Sequence, residues 1–288
     1  MFRYICFATL CVALFLAPRA GLSAEQAVIR HLWTVKEGLF EPESVAIDEA
    51  RGVIYVSNVV GYGLNGQGYI SRLSMSGRMI EEKWMEGLNA PTGMALYGDT
   101  LYFADFNQLV EADVTTGRII RRYEAPDARP CLNDVAVATD GTVYVSASCQ
   151  NTVYWLESGV LKPLINNAPA LNLVNGLYVA RDMLLTGGWQ IWIWDRITGQ
   201  ALADGPVTRQ DAIRDIDGVA WDGEAFIFSM VHDDRIWRLD ANGTATPISA
   251  QTFNAVDFQY DYRTGLLIVP RIPKEGAHKV SAYRLTFQ

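Results

Sequence analysis

A phrase of about 42 residues recurs along the chain, and this repeat constrains the fold more than any other feature. In its clearest copy, residues 215–222, an acidic residue and a glycine precede alternating apolar residues, and a second β-rich segment follows at 225–229. The equivalent glycine positions are residues 44, 93, 134, 176, 218 and 257. Successive copies are therefore 49, 41, 42, 42 and 39 residues apart, which gives six repeat units.

Each unit continues into further short segments rich in β-branched and aromatic residues, separated by turns that contain Gly or Asp. The second segments of the six units are 53–57, 101–104, 143–146, 183–186, 226–229 and 266–269. A third segment and usually a more polar fourth follow, such as 109–113 and 118–123. Four short strands per unit is typical of a propeller blade, so the sequence predicts an all-β, six-bladed β-propeller.

The two ends of the repeat predict how the ring closes. The sixth unit has its third strand at 279–285, and the chain stops at Gln288 before a fourth. The segment 27–34 precedes the first unit, and we expect it to complete the last blade and cover its open edge. Residues 61–68 form a long loop that accounts for the longer first step. Residues 25–288 are therefore predicted to be one propeller domain.

The first 24 residues have the pattern of a secretory signal peptide. Arg3 precedes an apolar run at 4–17, and small residues follow up to Ala24. The run is shorter than the roughly 20 residues that span a bilayer, which argues against a membrane anchor. We expect cleavage after Ala24, with Ala20 as the alternative, and a periplasmic or secreted mature protein without stable membrane insertion.

Composition limits the kinds of partner. The formal net charge is −8 and no run of Lys and Arg is present, which argues against nucleic acid binding. The acidic balance suits a soluble protein that binds cations or small polar ligands. A small-molecule substrate is therefore expected, and the oligomeric state stays open.

Two cysteines remain after the signal peptide, and we predict that they form a disulfide. Cys131 and Cys149 flank one predicted hairpin with its turn at 140–141, and its register places them nearly opposite each other. An oxidising compartment permits the bond. Two free thiols are the alternative.

The residue that opens the first strand of each blade is expected at one mouth of the central channel. Around the ring these residues are Glu43, Thr92, Asn133, Asn175, Asp217 and Val256. Four of the six are carboxylates or amides, and oxygen ligands of this kind suit Ca²⁺ or Mg²⁺, although Zn²⁺ or Mn²⁺ could also bind. Asn and Asp are also ordinary turn residues, which is the alternative interpretation.

These residues resemble the regucalcin and gluconolactonase family, which includes luciferin-regenerating-enzyme-like proteins. Its members are six-bladed propellers that hydrolyse lactones with a divalent metal. The resemblance lies in residues 43–48 (the family's E-x-P-x-W-D), 133–134 (N-D), 174–177 (P-N-G-L) and 216–218 (P-D-G). It covers nearly the whole mature chain.

The resemblance implies roles for individual residues. Glu43, Asn175 and Asp217 would bind the metal, Ca²⁺ above all, and Asn133 would contact substrate or metal-bound water. Several positions depart from the family pattern: Ile47 replaces its Trp, and Val174 and Ile216 replace two prolines. The arginine that commonly lies two residues before the N-D asparagine is Cys131 here.

Other residues near the mouth are candidates for binding or proton transfer. Arg129 lies two residues before Cys131, the position where the family commonly has an arginine, and is predicted to bind substrate. His232 ends the second strand of blade five beside Asp217 and could transfer protons near neutral pH, although it could equally be a solvated loop histidine. Glu41, two residues before Glu43, is the main alternative to Glu43 as a metal ligand. Asp105, Trp189 and Arg271 hold analogous positions, for which packing is the favoured interpretation.

The sequence thus supports two classes of function. The first is a metal-dependent hydrolase of a lactone or related cyclic ester, with Asp217 or His232 as general base. The second is a non-catalytic periplasmic propeller of the NHL type that binds a small ligand or partner protein, since the fold alone does not decide function. A lyase on the same scaffold is a third alternative.

Overall fold

The computed structural model of the protein describes residues 27–272 and 276–287. Their regular structure is almost entirely β: six antiparallel sheets and one short 3₁₀ helix, Pro169–Leu171. The sequence-based prediction of a six-bladed β-propeller is confirmed. The predicted signal peptide, residues 1–24, lies outside the described residues.

The blades follow one another along the chain. Strand β1 is Ala27–Val35, and blade one contains β2 (Pro42–Asp48), β3 (Val53–Asn58), β4 (Gly68–Ser74) and β5 (Met79–Leu88). Blade two contains β6 (Pro91–Tyr97), β7 (Thr100–Asp105), β8 (Gln108–Asp113) and β9 (Arg118–Glu124). Blade three contains β10 (Leu132–Val137), β11 (Val143–Ala147), β12 (Thr152–Glu157) and β13 (Val160–Ile165).

The second half has a less regular blade four. That blade contains β14 (Leu177–Ala180), β15 (Met183–Thr186) and β16 (Trp192–Asp195). Blade five contains β17 (Ile216–Trp221), β18 (Phe226–Met230), β19 (Asp233–Leu239) and β20 (Ala245–Pro247). Blade six contains β21 (Gln259–Asp261), β22 (Leu266–Arg271) and β23 (Lys279–Phe287).

The first described strand closes the ring. Strand β1 pairs antiparallel with β23 as the fourth strand of blade six, in a register from Ala27 opposite Phe287 to Val35 opposite Val280. A sheet edge that would otherwise be open to other chains is thereby covered. The predicted closure is confirmed.

Blade four lacks a regular fourth strand because its outer segment contains Gly205 and Pro206. The segment still follows the edge of β16: the Leu202 amide donates to the Ile193 carbonyl at 2.9 Å, and the Val207 amide to the Ile191 carbonyl at 2.9 Å. Proline has no amide hydrogen for a ladder, so pairing stops between these two bonds.

The core consists of apolar layers between neighbouring blades. Blades one and two, for example, bury Tyr55, Ile70 and Phe103 against one another. Trp194 is buried and donates its ring N–H to Thr186 Oγ1 at 3.0 Å. Trp155 and Trp192 are half-buried against the same apolar layer as Trp194, and Trp237 is half-buried against the layer between blades four and five. Packing between blades therefore holds the ring together.

The predicted disulfide is present. Cys131 and Cys149 are bonded, and their Cα atoms are 5.4 Å apart. The bond joins the segment before β10 to the turn after β11, where the Ser148 amide also donates to the Cys131 carbonyl at 3.1 Å. No helix among the described residues is long and apolar enough to cross a membrane.

We expect that replacing both cysteines, Cys131→Ser with Cys149→Ser, lowers the free energy of unfolding by about 3 kcal/mol, because the bond closes a short loop in the unfolded chain. Denaturant unfolding under non-reducing conditions measures the change. The matched control is the same pair of proteins with reductant, where the difference should vanish. An unchanged unfolding midpoint in the double variant would contradict the expectation.

Candidate metal and catalytic site

A bulge at the start of the first strand turns one residue of a blade toward the channel. The strand register shifts between Pro42 and Val45, Pro91 and Met94, Leu132 and Val135, and Ile216 and Val219. Residues inside a bulge leave the hydrogen-bond ladder, and their side chains are redirected. In four blades the mouth residues lie within these bulges.

A serine of the neighbouring strand stabilises the bulge in alternate blades. Its Oγ accepts the amide of the residue after the mouth residue, at 2.8–2.9 Å. The pairs are Ser44 with Ser57, Asp134 with Ser146, and Gly218 with Ser229. The bulge amides are thereby satisfied although they lie in the interior.

A left-handed backbone residue precedes the mouth residue by two positions in five blades. These residues are Glu41, Cys131, Leu173, Asp215 and Asn254, with φ between 47° and 55°. Non-glycine residues rarely adopt this conformation, so its recurrence at one position indicates a shared turn that aims the strands.

Glycine after the mouth residue allows blades to approach closely. A Cβ at Gly176 would lie 1.9 Å from the Asp217 carbonyl oxygen, and one at Gly93 would lie 2.2 Å from Asp134 Oδ1. The first strands of adjacent blades are therefore packed backbone against backbone around the channel.

Three buried oxygens at the mouth have no hydrogen-bond partner among the described residues. They are Glu43 Oε2, Asn133 Oδ1 and Asp217 Oδ1. Asp217 is only 6% exposed. Buried polar atoms without partners are costly, so their presence on three blades indicates a cation or ligand at the mouth.

The other mouth residues behave differently. Asn175 donates a side-chain hydrogen bond to Asp217, which brings two of the three predicted ligands together. Thr92 is buried, and its Oγ1 donates to the Asn133 carbonyl at 2.7 Å, so it joins blades two and three. Val256 supplies no polar group. The oxygen-bearing side chains left at the mouth are Glu43, Asn133, Asn175 and Asp217.

Two further carboxyls lie at the position after the mouth residue. Asp134 accepts the Val135 amide at 2.7 Å and the Leu177 amide of the next blade at 2.6 Å. Asp257 accepts the Phe258 amide at 2.7 Å and the Ser44 hydroxyl at 2.5 Å. In the sequence both positions stand out only as markers of the repeat, and they are the two aspartates where other units have Gly or Ser.

Burial raises the pKa of all four channel carboxyls, and the charges of neighbouring carboxyls add to the shift at Glu43, Asp134 and Asp217. Burial is the main cause at Glu43, followed by the charges of Asp217, Asp257 and Asp134. Burial and then the charge of Asp257 raise the pKa of Asp217 to about 7, although the Asn175 hydrogen bond opposes the shift. Burial raises the pKa of Asp257 to about 6, against the Ser44 hydrogen bond. Burial also raises the pKa of Asp134. A cation would reverse these shifts.

Two predicted site residues, His232 and Arg129, are not among the six mouth residues and lie at the rim. His232 Nε2 is 2.7 Å from Asp215 Oδ2, and the histidine side chain is 71% exposed. His232 thus pairs with the residue two positions before Asp217. The Arg129 side chain is exposed, and its carbonyl accepts Gln150 Nε2 at 3.1 Å.

Glu41 and Asp105 have structural contacts. Glu41 Oε2 accepts the Gly61 amide at 2.7 Å and so holds the long loop of blade one. Asp105 is buried and accepts the amides of Asn89 and Ala90 at 2.7 and 2.9 Å. These contacts favour packing roles for both.

The long loop carries an aromatic residue toward Glu43. The Tyr62 ring contacts Phe106 edge to face, with the ring centroids 5.3 Å apart. Half of Tyr62 is exposed (52%), yet burial and then the charge of Glu43 raise the pKa of its hydroxyl. The Tyr62 hydroxyl is therefore affected by the charge of Glu43, and the repeat pattern does not predict this interaction.

We expect the metal-free protein to become less stable as pH rises from about 4 to about 7. The unfolded chain releases the Asp217 and Asp257 protons near 3.8, whereas the folded chain holds them to about 7 and about 6. The folded state then binds more protons across this interval, so stability falls with pH. Thermal unfolding in chelator at pH 5 and pH 8 measures the slope. Ca²⁺ should reduce this dependence of the melting temperature on pH. A melting temperature that rises with pH in chelator would contradict the expectation.

Gly176→Ala is expected to destabilise the protein by about 1–3 kcal/mol, because its Cβ would overlap the backbone of blade five. Gly63→Ala is the control, since a Cβ there meets nothing within 4 Å. Chemical denaturation compares the two variants. Equal stability of both would show that the blades do not need this close approach.

No known family model matches the chain, and no curated protein matches it in sequence. Solved structures match it in fold. A gluconolactonase from Xanthomonas campestris has a TM-score of 0.69 at 17% identity, over 93% of this chain and 94% of its own. A putative gluconolactonase has a TM-score of 0.67 at 16% identity, over 96% of both chains. Virginiamycin B lyase from Staphylococcus aureus has a TM-score of 0.62 at 14% identity, over 91% of this chain and all of its own. The chain thus has the propeller fold of solved gluconolactonases and a streptogramin lyase.

Proposed function

We propose that this protein is a metal-dependent hydrolase that opens a lactone or related cyclic ester. The observation that carries the proposal is the set of unpartnered, buried oxygens of Glu43, Asn133 and Asp217, supplied by three separate blades to one channel mouth. Structural packing alone gives no reason to bury such oxygens without donors. The fold similarity to solved gluconolactonases supports the same reaction class.

The donor set fits a hard divalent cation. Glu43, Asn175 and Asp217 would hold it, with Ca²⁺ favoured over Zn²⁺, Mn²⁺ or Mg²⁺ because all the donors are oxygens. Among the described residues, no three or more His, Cys, Asp or Glu side chains form a metal-binding group. The proposed set needs only two carboxylates, and its third oxygen comes from the Asn175 amide. When bound, the metal would polarise the ester carbonyl and acidify water.

The chain's own residues would orient the substrate and move the proton. Asp217 would accept a proton from the attacking water, because a bound cation would keep its carboxyl ionised near neutral pH. The water oxygen bonds to the carbonyl carbon, the ring C–O bond breaks, and the proton passes to the leaving alkoxide. Asn133 would position the substrate through its free Oδ1, and Arg129 would contact it at the rim. The His232–Asp215 pair is the alternative base.

We also propose that the protein acts outside the cytoplasm. The Cys131–Cys149 disulfide supports this location, because such bonds persist mainly in oxidising compartments. The apolar N-terminal run predicted to be a signal peptide is consistent with export.

Asp217→Asn should lower lactone hydrolysis by about 10²- to 10⁴-fold if Asp217 is the base, whereas His232→Gln should keep most activity. The assay is a panel of lactones and esters with Ca²⁺, Mn²⁺ or Zn²⁺. Asp182→Asn, an exposed aspartate at the β14–β15 turn, is the control. Full activity of Asp217→Asn would refute the mechanism. Metal binding without turnover of any ester would instead favour a non-catalytic binding propeller.

A further inference from the structure

Blade six presents three cations side by side on the face of the propeller that carries the channel mouth. Arg271 ends β22, Lys279 begins β23, and Lys36 directly follows β1. In the sheet register Arg271 is opposite Lys279, and Val35 is opposite Val280, so the three residues lie across the ends of three adjacent strands. We call Lys36, Arg271 and Lys279 the cation row.

The cation row has no acidic partner among the described residues. None of its members forms an ion pair there, although the chain contains 32 Asp and Glu residues. Like charges directly opposite each other on two strands are destabilising. Burial, and then the charges of Arg271 and Lys36, lower the pKa of Lys279. Among the described residues, no acidic side chain therefore offsets the repulsion within the row.

Arg271 also has an unused donor. Its Nη2 donates to Asn254 Oδ1, which fixes the guanidinium, whereas its Nε is buried without an acceptor. A guanidinium held in this way is a fixed positive charge, which suits a carboxylate or phosphate.

The cation row borders the candidate site. Arg271 forms a β-bridge with Ala255, the residue before the blade-six mouth residue Val256. Next to the row, His278 Nδ1 accepts the Glu41 amide at 2.9 Å, two residues before Glu43. The row is therefore at the same mouth as the unpartnered oxygens, on the blade that contributes no polar mouth residue.

We propose that the cation row is an anion subsite that binds a carboxylate or phosphate group carried by the substrate. As part of a substrate site this inference rests on the proposed lactone hydrolysis, but the subsite itself is defined by anion binding. The anionic group would accept from Arg271 and Lys279 while the ester lies at the mouth. The inference narrows the substrate class to cyclic esters that bear a negative charge.

The first test measures binding without catalysis. Inorganic phosphate should raise the melting temperature of the full chain and give a calorimetric binding signal. The variant Arg271→Gln with Lys279→Gln should lose both effects and, without phosphate, should unfold at a temperature no lower than the wild type. Arg118→Gln, which removes an exposed charge at the start of β9, should bind phosphate like the wild type.

The second test separates the charge of the substrate from its ester. A neutral lactone and the same ring with a carboxylate substituent are compared by KM and kcat. The double variant should raise KM for the charged lactone about tenfold or more and leave the neutral one unchanged.

Equal effects on both lactones, or phosphate binding that survives in the double variant, would overturn the anion subsite. Absence of phosphate binding to the wild type would overturn it as well. If the wild type opens no lactone but loses phosphate binding in the double variant, lactone hydrolysis fails and the anion subsite stands. The two proposals can therefore fail separately.

Discussion

The burial of four carboxyls around the channel is the constraint on which this site depends. Burial raises the pKa of Glu43, Asp134, Asp217 and Asp257, and the charges of neighbouring carboxyls raise the pKa of the first three further. Asp134 and Asp257 accept hydrogen bonds from Leu177 and Ser44 of neighbouring blades. The other two, at the mouth, keep free oxygens that a proton or a cation must satisfy.

The fold brings these carboxyls together by repeating one local backbone arrangement, which we call the entry device. A left-handed residue, a bulge and a small residue recur where a first strand enters the channel. Because the entry device fixes the backbone, the mouth residue can vary between blades without loss of closure. Blade two uses Thr92 to join its neighbour, whereas blades one and five place carboxylates at the mouth. The mouth residue can therefore carry the chemistry of a blade, while the residues next to it determine the backbone.

The periodicity of the sequence was sufficient to predict the blades, since each strand pairs locally and the repeat sets its length. It also predicted the closure by β1 and the disulfide, because both follow from the register of neighbouring segments. The roles of Asp134 and Asp257 were not predictable in this way. Their contacts cross to the next blade, and a repeat alignment shows equivalence within blades but not contacts between them.

The directions of the side chains at the rim also could not be predicted from the sequence. In the sequence, Glu41 and Glu43 are both possible metal ligands. In the structure, the left-handed turn at Glu41 directs its carboxylate to the Gly61 amide. His232 likewise follows its strand as expected and then turns to Asp215. Loop conformation decides such contacts, and it depends on interactions that have no sequence period.

The rim charges indicate how a substrate would be oriented. Where the resembling family commonly has an arginine on blade three, this chain has Cys131, buried in a disulfide. The cation row instead places Lys36, Arg271 and Lys279 on blade six, and in a ring of six blades three and six face each other across the channel. An anionic substrate attracted to the row would therefore enter with its charged end on the opposite side from one bound by a blade-three arginine. Because the mouth carboxylates belong to blades one and five, on either side of blade six, that orientation would bring the ester close to both of them.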